Sequence, residues 1–205
     1  MPQVSLQDFV SRVRAGKALA SFPTDTVPAL AARPDQSHLI YVAKKRPANK
    51  PLILMGATLS DLLPYVMGSE TDRASWQQIT DRYWPGALTL VLPASDRLPP
   101  AMNPLQTGTL GIRVPDHPLA RYLLAQTGPL ATTSVNRSGQ LPLEEMSEIA
   151  RQFPEVLTLS DAAIAALKSD IGNFDLTASG VPSTVVRWQD GIWEVLRQGS
   201  VKIDV

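Results

Sequence analysis

Positive charge is concentrated in the segment 42–51, VAKKRPANKP, although the chain as a whole carries no net charge. Its basic residues are Lys44, Lys45, Arg46 and Lys50. Such a cluster can bind phosphate or carboxylate, because lysine supplies a compact charge and arginine matches these anions with two parallel hydrogen bonds. A charge run is more often solvated surface, here a basic turn that ends a helix. From these residues alone the solvated turn is favoured, and an anion site is the alternative.

Two further arginines lie in segments that predict strands. Arg113 interrupts the apolar run LGIRV, and a guanidinium in such a run needs a buried partner or a bound anion. Arg197 in WEVLRQG raises the same question, but an edge strand with its arginine in solvent explains it slightly better. For Arg113 a binding role and a structural role are evenly balanced.

Polar residues follow the short apolar runs along much of the chain. Ligand-binding groups in α/β sheets are usually presented at strand ends, so these corners are candidate site segments. Serine and threonine at strand ends also stabilise turns by bonding their own backbone, which makes each corner weak evidence by itself. The corners are 23–27, 43–51, 109–115, 131–139, 182–186 and 195–199.

Composition and motifs argue against several kinds of catalytic site. The chain has no cysteine, and its two histidines, His38 and His117, lie far apart, which argues against thiol, zinc and Ser-His-Asp chemistry. His117 in PDHPL predicts a helix cap or a surface role. Neither glycine-rich phosphate fingerprint is found, no Asp/Glu pair is placed as an acid/base dyad, and no metal ligand is predicted. A catalyst built from this chain must work by binding and positioning charged reactants.

The 205 residues suit one domain, 1–205, with 44% apolar and 19% charged residues, as in an ordinary soluble protein. Equal numbers of basic and acidic side chains argue against a protein that mainly grips long nucleic acid. The N-terminal segment does not resemble a signal peptide, and no apolar run reaches the roughly 18 residues that span a bilayer. We therefore expect a cytoplasmic protein with no membrane segment.

Hydrophobic periodicity alternates between helical and extended segments. Ser5 predicts the N-cap of a first helix that stops at Gly16, and Asp190-Gly191 predicts a hairpin turn. Together the pattern predicts an α/β fold in which helices flank a mixed, twisted sheet. Further helices are predicted at 37–45, 69–83, 118–128, 144–153 and 161–168, and strands at 18–22, 51–56, 88–94, 109–115, 129–135, 183–188 and 192–199.

Six motifs occur in a fixed order over nearly the whole chain: SFPTDTVPAL, KKRP, RYWPGALTLVLPA, GIRVPDHPLA, TTSVNRSG, and PSTVV followed by LRQG. In this order they resemble the YrdC/Sua5/TsaC family, the threonylcarbamoyl-AMP synthases that begin synthesis of the tRNA modification t6A. The resemblance implies a YrdC/RibB-like fold with a concave, positively charged cavity. It also changes the interpretation of the basic cluster at 44–50 from a solvated turn to an anion site.

The resemblance implies that L-threonine, bicarbonate and ATP react to give threonylcarbamoyl-AMP and pyrophosphate. It implies catalytic roles for Lys44 and Arg46. The residues implied to bind ATP are Lys50, Ser134, Asn136 and Arg197, and those implied to bind threonine are Thr24, Thr26, Arg113, Thr133 and Ser183. Mg²⁺ would be carried mainly by the ATP phosphates, with few protein ligands. A separate transferase complex would then modify adenosine 37 of tRNA.

The sequence departs from the family pattern at several positions. Pro28 and Ala29 replace a common Tyr-Gly pair, and Lys50 and Met55 stand where asparagine and histidine are common. These changes leave open a YciO-like paralogue with a different nucleotide-dependent activity. A module that binds double-stranded RNA by shape and phosphate contacts is a further alternative, and weak binding of tRNA or double-stranded RNA stays open.

Overall fold

The computed structural model describes residues 2–143 and 146–204. The helices are α1 (Leu6–Arg14), α2 (His38–Lys44), α3 (Leu59–Leu62), α4 (Glu70–Tyr83), α5 (Pro118–Thr127), α6 (Met146–Gln152) and α7 (Asp161–Ile171). The strands are β1 (Gln3–Val4), β2 (Ala20–Phe22), β3 (Ala29–Ala32), β4 (Ile53–Met55), β5 (Leu88–Pro93), β6 (Thr109–Arg113), β7 (Leu130–Ser134), β8 (Thr158–Leu159), β9 (Thr184–Gln189) and β10 (Ile192–Arg197). Single 3₁₀ turns lie at Pro34–Gln36, Leu63–Tyr65 and Pro100–Met102.

The main sheet has the strand order β10-β9-β5-β6-β4-β7-β3-β2, and β1 pairs with β8 beside it. Strand β4 runs parallel to β6, and β5 runs parallel to β9. The other neighbours in the main sheet are antiparallel. Sequence neighbours such as β2–β3 and β9–β10 join through short connections, whereas each parallel pair needs a longer crossover. The predicted mixed sheet flanked by helices is confirmed.

Helix ends follow the polar residues that the sequence provides. The Ser5 Oγ accepts a hydrogen bond from the Asp8 N–H at 3.1 Å and begins α1 as predicted. The His117 Nδ1 accepts from the Ala120 N–H at 3.4 Å, which confirms a capping role in α5. Helix α2 ends at Lys44, three residues before Pro47. It ends there because Lys45 adopts a left-handed φ of 50°.

The hairpin between β9 and β10 confirms the turn predicted at Asp190-Gly191. These residues have φ of 53° and 80°, and Gln189 pairs with Ile192 across them. Strand β3 was not predicted from the sequence, because its ALAA sequence contains no β-branched or aromatic residue that would favour a strand. The helix predicted at 144–153 corresponds to α6, and residues 144 and 145 lie outside the described residues.

Two apolar clusters pack on opposite faces of the main sheet. Alternate residues point to opposite faces of a strand, and on β5 Leu88, Leu90 and Leu92 are buried in the cluster with Trp76 of α4. The second cluster contains Phe9 of α1 and covers only part of the other face. The uncovered part of that face forms the floor of a cavity.

Candidate functional site

A cavity of about 520 Å³ lies on the uncovered face of the main sheet. Thr89 and Val91 face it from β5, between the leucines that point into the core. Gly111 on β6 also lies on the floor, and a Cβ there would come within 2.8 Å of the Ile53 Cγ2. Glycine at this position therefore keeps the floor open without displacing the neighbouring strand.

The structure brings most of the predicted site residues to this cavity. Seven of them line it, namely Thr26, Arg46, Arg113, Thr133, Ser134, Ser183 and Arg197. The other four, Thr24, Lys44, Lys50 and Asn136, lie outside its lining. Lys44 and Thr24 nevertheless support residues that do face the cavity, as their hydrogen bonds show.

Arg113 is buried, at 2% exposure, at the end of β6. Its Nη2 donates to the Asp25 Oδ1 at 2.5 Å, its Nη1 to the Thr26 Oγ1 at 2.8 Å, and its Nε to the Gly86 carbonyl at 3.0 Å. Burial lowers the pKa of Arg113, and the Asp25 carboxylate opposes that shift. From the sequence, this arginine was expected to need a buried partner or a bound anion. In the structure Asp25 is that partner.

The two predicted threonines of the 23–27 corner have different surroundings. The Thr24 Oγ1 donates to the Val27 carbonyl at 2.7 Å and accepts from the Thr26 N–H at 3.2 Å, so it closes the turn. The Thr26 hydroxyl lies on the cavity and accepts from Arg113. Thr24 thus shapes the corner, while Thr26 presents its side chain to the cavity.

Lys44 is buried at 1% exposure behind the cavity wall. Its Nζ donates to the Ser134 carbonyl and to the Asn136 Oδ1, the second bond being 2.8 Å long. Burial, and after it the charge of Arg46, lowers the pKa of Lys44 to about 7. Among the described residues no carboxylate lies within 4.0 Å of this ammonium group. Lys44 therefore fixes the backbone of Ser134, which faces the cavity.

Arg46 closes the basic loop onto the cavity wall. Its Nε donates to the Lys50 carbonyl and its Nη2 to the Pro51 carbonyl, both at 3.0 Å. Burial lowers its pKa, as expected for a guanidinium with only neutral acceptors. The Lys50 side chain is exposed outside the cavity lining. Within this loop, Arg46 is the basic residue that faces the cavity.

The opposite wall comes from Ser183, before β9, and from the end of β10. Ser183 shares a 2.9 Å hydrogen bond with the Thr89 hydroxyl, and its carbonyl accepts from the Arg197 Nη2 at 2.7 Å. The pairing of β10 with β9 shifts register between Val195 and Arg197. This irregularity lets the consecutive residues Leu196 and Arg197 both line the cavity.

Several lining residues were not predicted from the sequence, above all Arg187 on β9. Its signal was period-two alternation, because Ser183, Val185 and Arg187 lie on one face of the strand and all line the cavity. Thr107, just before β6, was not predicted either, and Thr109 was included only as part of the corner 109–115.

Three of the residues that depart from the family pattern lie at or next to the cavity. Ala29 and Met55 line the cavity. Pro28 is buried beside it, and its carbonyl accepts from the Val135 N–H at 3.1 Å. A proline lacks only its own N–H, so it keeps this bond between the 23–28 corner and the loop after β7.

A protein-family model for Sua5, YciO and YrdC proteins, described as "Telomere recombination", matches residues 12–199. The match covers most of the chain and all the segments that line the cavity. The chain belongs to this family. The family suspected from the six ordered motifs is therefore confirmed.

Several curated relatives carry the same name. The chain is 37% identical over 190 residues to the threonylcarbamoyl-AMP synthase of Bacillus subtilis, an alignment that covers 89% of this chain and 50% of the relative. It is 33% identical over 161 residues to the threonylcarbamoyl-AMP synthase of Photobacterium profundum, an alignment that covers 75% of this chain and 84% of the relative. The chain thus spans about half the length of the first relative and most of the second.

Solved structures share the fold. P. abyssi Sua5 complexed with L-threonine is 27% identical with a TM-score of 0.79, over 95% of this chain and 54% of that one. E. coli YciO has a TM-score of 0.74 over 96% of this chain and 90% of that one, at 21% identity, which supports the fold alone. No helix within residues 2–143 and 146–204 has the length and apolar character needed to cross a membrane.

Proposed function

We propose that this chain is an L-threonylcarbamoyladenylate synthase, which forms threonylcarbamoyl-AMP and pyrophosphate from L-threonine, bicarbonate and ATP. The observation that carries the proposal is the convergence of four arginines, Arg46, Arg113, Arg187 and Arg197, with several hydroxyl groups on one cavity. Relatives in its family are named for this activity, and a structural relative holds L-threonine. The cavity of about 520 Å³ is of the size usual for small-molecule sites.

The proposed reaction brings several anions together. The threonine amine bonds to the carbon of bicarbonate, water leaves, and a carbamate is formed. A carbamate oxygen then attacks the α-phosphorus of ATP, and the bond between the α-phosphorus and its bridging oxygen to the β-phosphate breaks to release pyrophosphate. Fixed cations that offset this charge, and that hold the reacting atoms in line, are the main catalytic device in such a reaction. A carboxylate acid/base pair is not required.

Each wall of the cavity suits a different part of the reactants. Arg46 and Arg197 hydrogen-bond to protein carbonyls, and no carboxylate among the described residues lies within 4.0 Å of either. We assign these two guanidinium groups to the ATP phosphates. Arg113, held in place by Asp25, and Thr26, which accepts from Arg113, are assigned to the threonine carboxylate.

The remaining predicted residues complete the assignment. Thr133 and Ser183 would complete the threonine pocket, and Ser134 would bond the nucleotide. Lys44 would add positive charge behind Ser134, held there by Asn136. Thr24 would hold the turn that carries the threonine pocket. Lys50, which is exposed next to the lining residue Pro51, would contribute charge from outside the lining.

Mg²⁺ would enter on the ATP phosphates. Among the described residues, the polar side chains that line the cavity carry guanidinium or hydroxyl groups and no carboxylate. Mg²⁺ in ATP-dependent enzymes is held by carboxylates, waters and substrate phosphates, so phosphate oxygens would supply its ligands here. Its role would be to offset phosphate charge during attack.

Pyrophosphate release by the purified chain tests the proposal. Release should require ATP, threonine and bicarbonate together, and mass spectrometry should detect threonylcarbamoyl-AMP. Arg46→Gln should abolish release. Arg82→Gln, which removes an exposed arginine paired with Asp204 at 3.5 Å, is the matched control and should retain it.

Two other outcomes would contradict the proposal. Release from folded protein without threonine dependence would favour a YciO-like paralogue with a different nucleotide-dependent reaction. Binding of double-stranded RNA that weakens steeply with salt and does not depend on threonine would favour an RNA-binding module.

As a synthase, the chain would act in the cytoplasm and pass its product to the transferase complex that modifies adenosine 37 of tRNA.

A further inference from the structure

Arg187 is the cavity-lining arginine without an assignment in the proposed reaction. It lies on β9 on the face shared with Ser183 and Val185, and its side chain is 37% exposed. It pairs with Val91 of β5, which in turn pairs with Gly111 of β6. Arg187 therefore reaches the floor of the cavity at the open strip above Gly111.

In this structure Arg187 is paired with Glu194 on the neighbouring strand. The two residues are directly opposite in the register of β9 and β10, and both Nε and Nη2 of Arg187 donate to the Glu194 Oε2, the first at 3.1 Å. Both side chains are partly exposed, at 37% and 54%. Because a solvated ion pair adds little net stability, an anion in the cavity can compete with Glu194 for this guanidinium.

Arg187 can supply a further charged hydrogen-bond donor for phosphate in this cavity. Arg113 is already paired with Asp25, which leaves Arg46 and Arg197 with neutral acceptors only among the described residues. Mg²⁺ would offset only part of the charge of a nucleoside triphosphate, and a further guanidinium could bond its phosphate oxygens directly. Arg187 is the next cation on the same surface.

We propose that Arg187 binds the phosphate chain of the nucleotide, and that Glu194 limits nucleotide affinity by holding Arg187 in the unliganded protein. This inference rests on the proposed function. The ligand chemistry is a polyphosphate, supplied by ATP or by the pyrophosphate product. On binding, the Arg187 guanidinium leaves Glu194 and turns toward the cavity, so the two residues act in opposite directions on affinity.

Isothermal titration of the purified chain with ATP, pyrophosphate and threonine tests this inference. Arg187→Gln is expected to weaken ATP binding about tenfold, the size of one charge-assisted contact. Glu194→Gln is expected to tighten ATP binding, because Arg187 is released from its partner. Threonine binding should change in neither variant. A loss confined to ATP places Arg187 on the bound nucleotide, and an equal loss for pyrophosphate places it on the leaving group.

Arg82→Gln is the matched control, because Arg82 also pairs with a carboxylate but lies outside the cavity lining. Equal ATP affinity in wild type and Arg187→Gln overturns the inference and leaves the proposed function intact. Weaker ATP binding in Glu194→Gln also overturns it, because the pair would then be a structural unit. Absence of ATP and pyrophosphate binding in folded wild-type protein overturns the proposed function and this inference together.

Discussion

Replacement of Lys44 by methionine should change how the stability of this protein depends on pH. The Lys44 ammonium is buried against the Ser134 carbonyl and the Asn136 side chain. Burial, with a smaller effect of the Arg46 charge, lowers its pKa from the ordinary 10.5 to about 7. Methionine keeps most of the buried stem and cannot ionise, so the comparison isolates the charge.

The sign and size of the effect follow from proton linkage. Between pH 7 and pH 10.5 the unfolded chain holds a proton on Lys44 that the folded chain has largely released, so the free energy of unfolding rises with pH. One pKa unit corresponds to about 1.4 kcal/mol. Between pH 7 and pH 9 the wild type should therefore gain about 2 kcal/mol relative to Lys44→Met, since the folded group is still about half protonated at pH 7.

Urea unfolding of both proteins at pH 7 and pH 9, in the same buffer ions, measures this difference. All other titrating groups are common to the two chains and cancel in the comparison. Lys17→Met, which removes an exposed lysine after α1, controls for the loss of one surface charge. A difference between wild type and Lys44→Met that is the same at both pH values would refute the reasoning, because Lys44 would then stay charged in the folded protein.

The remaining predictions concern the groups that hold the arginines in place. Asp25→Asn should lower the free energy of unfolding by about 3 kcal/mol, because it leaves the buried Arg113 charge without its carboxylate, and urea unfolding measures it. Gly199→Ala should destabilise the fold and weaken ATP binding, since its Cβ would lie 2.2 Å from the Pro182 carbonyl oxygen, next to the strand end that carries Arg197; thermal unfolding and titration with ATP measure both effects.

Other substitutions provide the controls for these two predictions. Asp35→Asn breaks an ion pair with Arg33 whose side chains are 39% and 47% exposed, and it should cost less than about 1 kcal/mol. An equal loss in Asp25→Asn would mean that Arg113 needs no carboxylate. Ser200→Ala alters an exposed residue beside Gly199 and should change little. Wild-type stability and ATP affinity in Gly199→Ala would show that the close approach at Pro182 is readily relieved.

Local sequence signals predicted the elements that local interactions determine. The Ser5 cap and the turn at Asp190-Gly191 depend on residues close together in the chain, and the structure has both. Strand β3 was missed because its alanines have no strand preference, and it forms only where β2 and β7 pair with it on either side. Pairing between distant segments decides such cases.

For the site, the sequence supplied the residue types and the tertiary structure supplied their partners. The motifs indicated that Arg113 and Lys44 belong to one site. They could not show that Asp25 pairs with Arg113, or that the Ser134 carbonyl accepts a hydrogen bond from Lys44. Arg187 was not recognised. Its alternation with Ser183 showed only that the two share a strand face, and the pairing of β9 with β5 places that face on the cavity floor.

The sequence by itself determined the family, the helix caps and the hairpin turn. The order of the motifs can be seen along the chain without any folded contact, and the caps and the turn depend on hydrogen bonds between neighbouring residues. Only the tertiary structure decided which cations face the cavity. Lys44 and Arg46 are two residues apart, yet one is buried behind the wall and the other faces the cavity. The physical reason is that burial and charge pairing depend on segments that meet through the sheet, and the largest electrostatic effects arise where those segments exclude water.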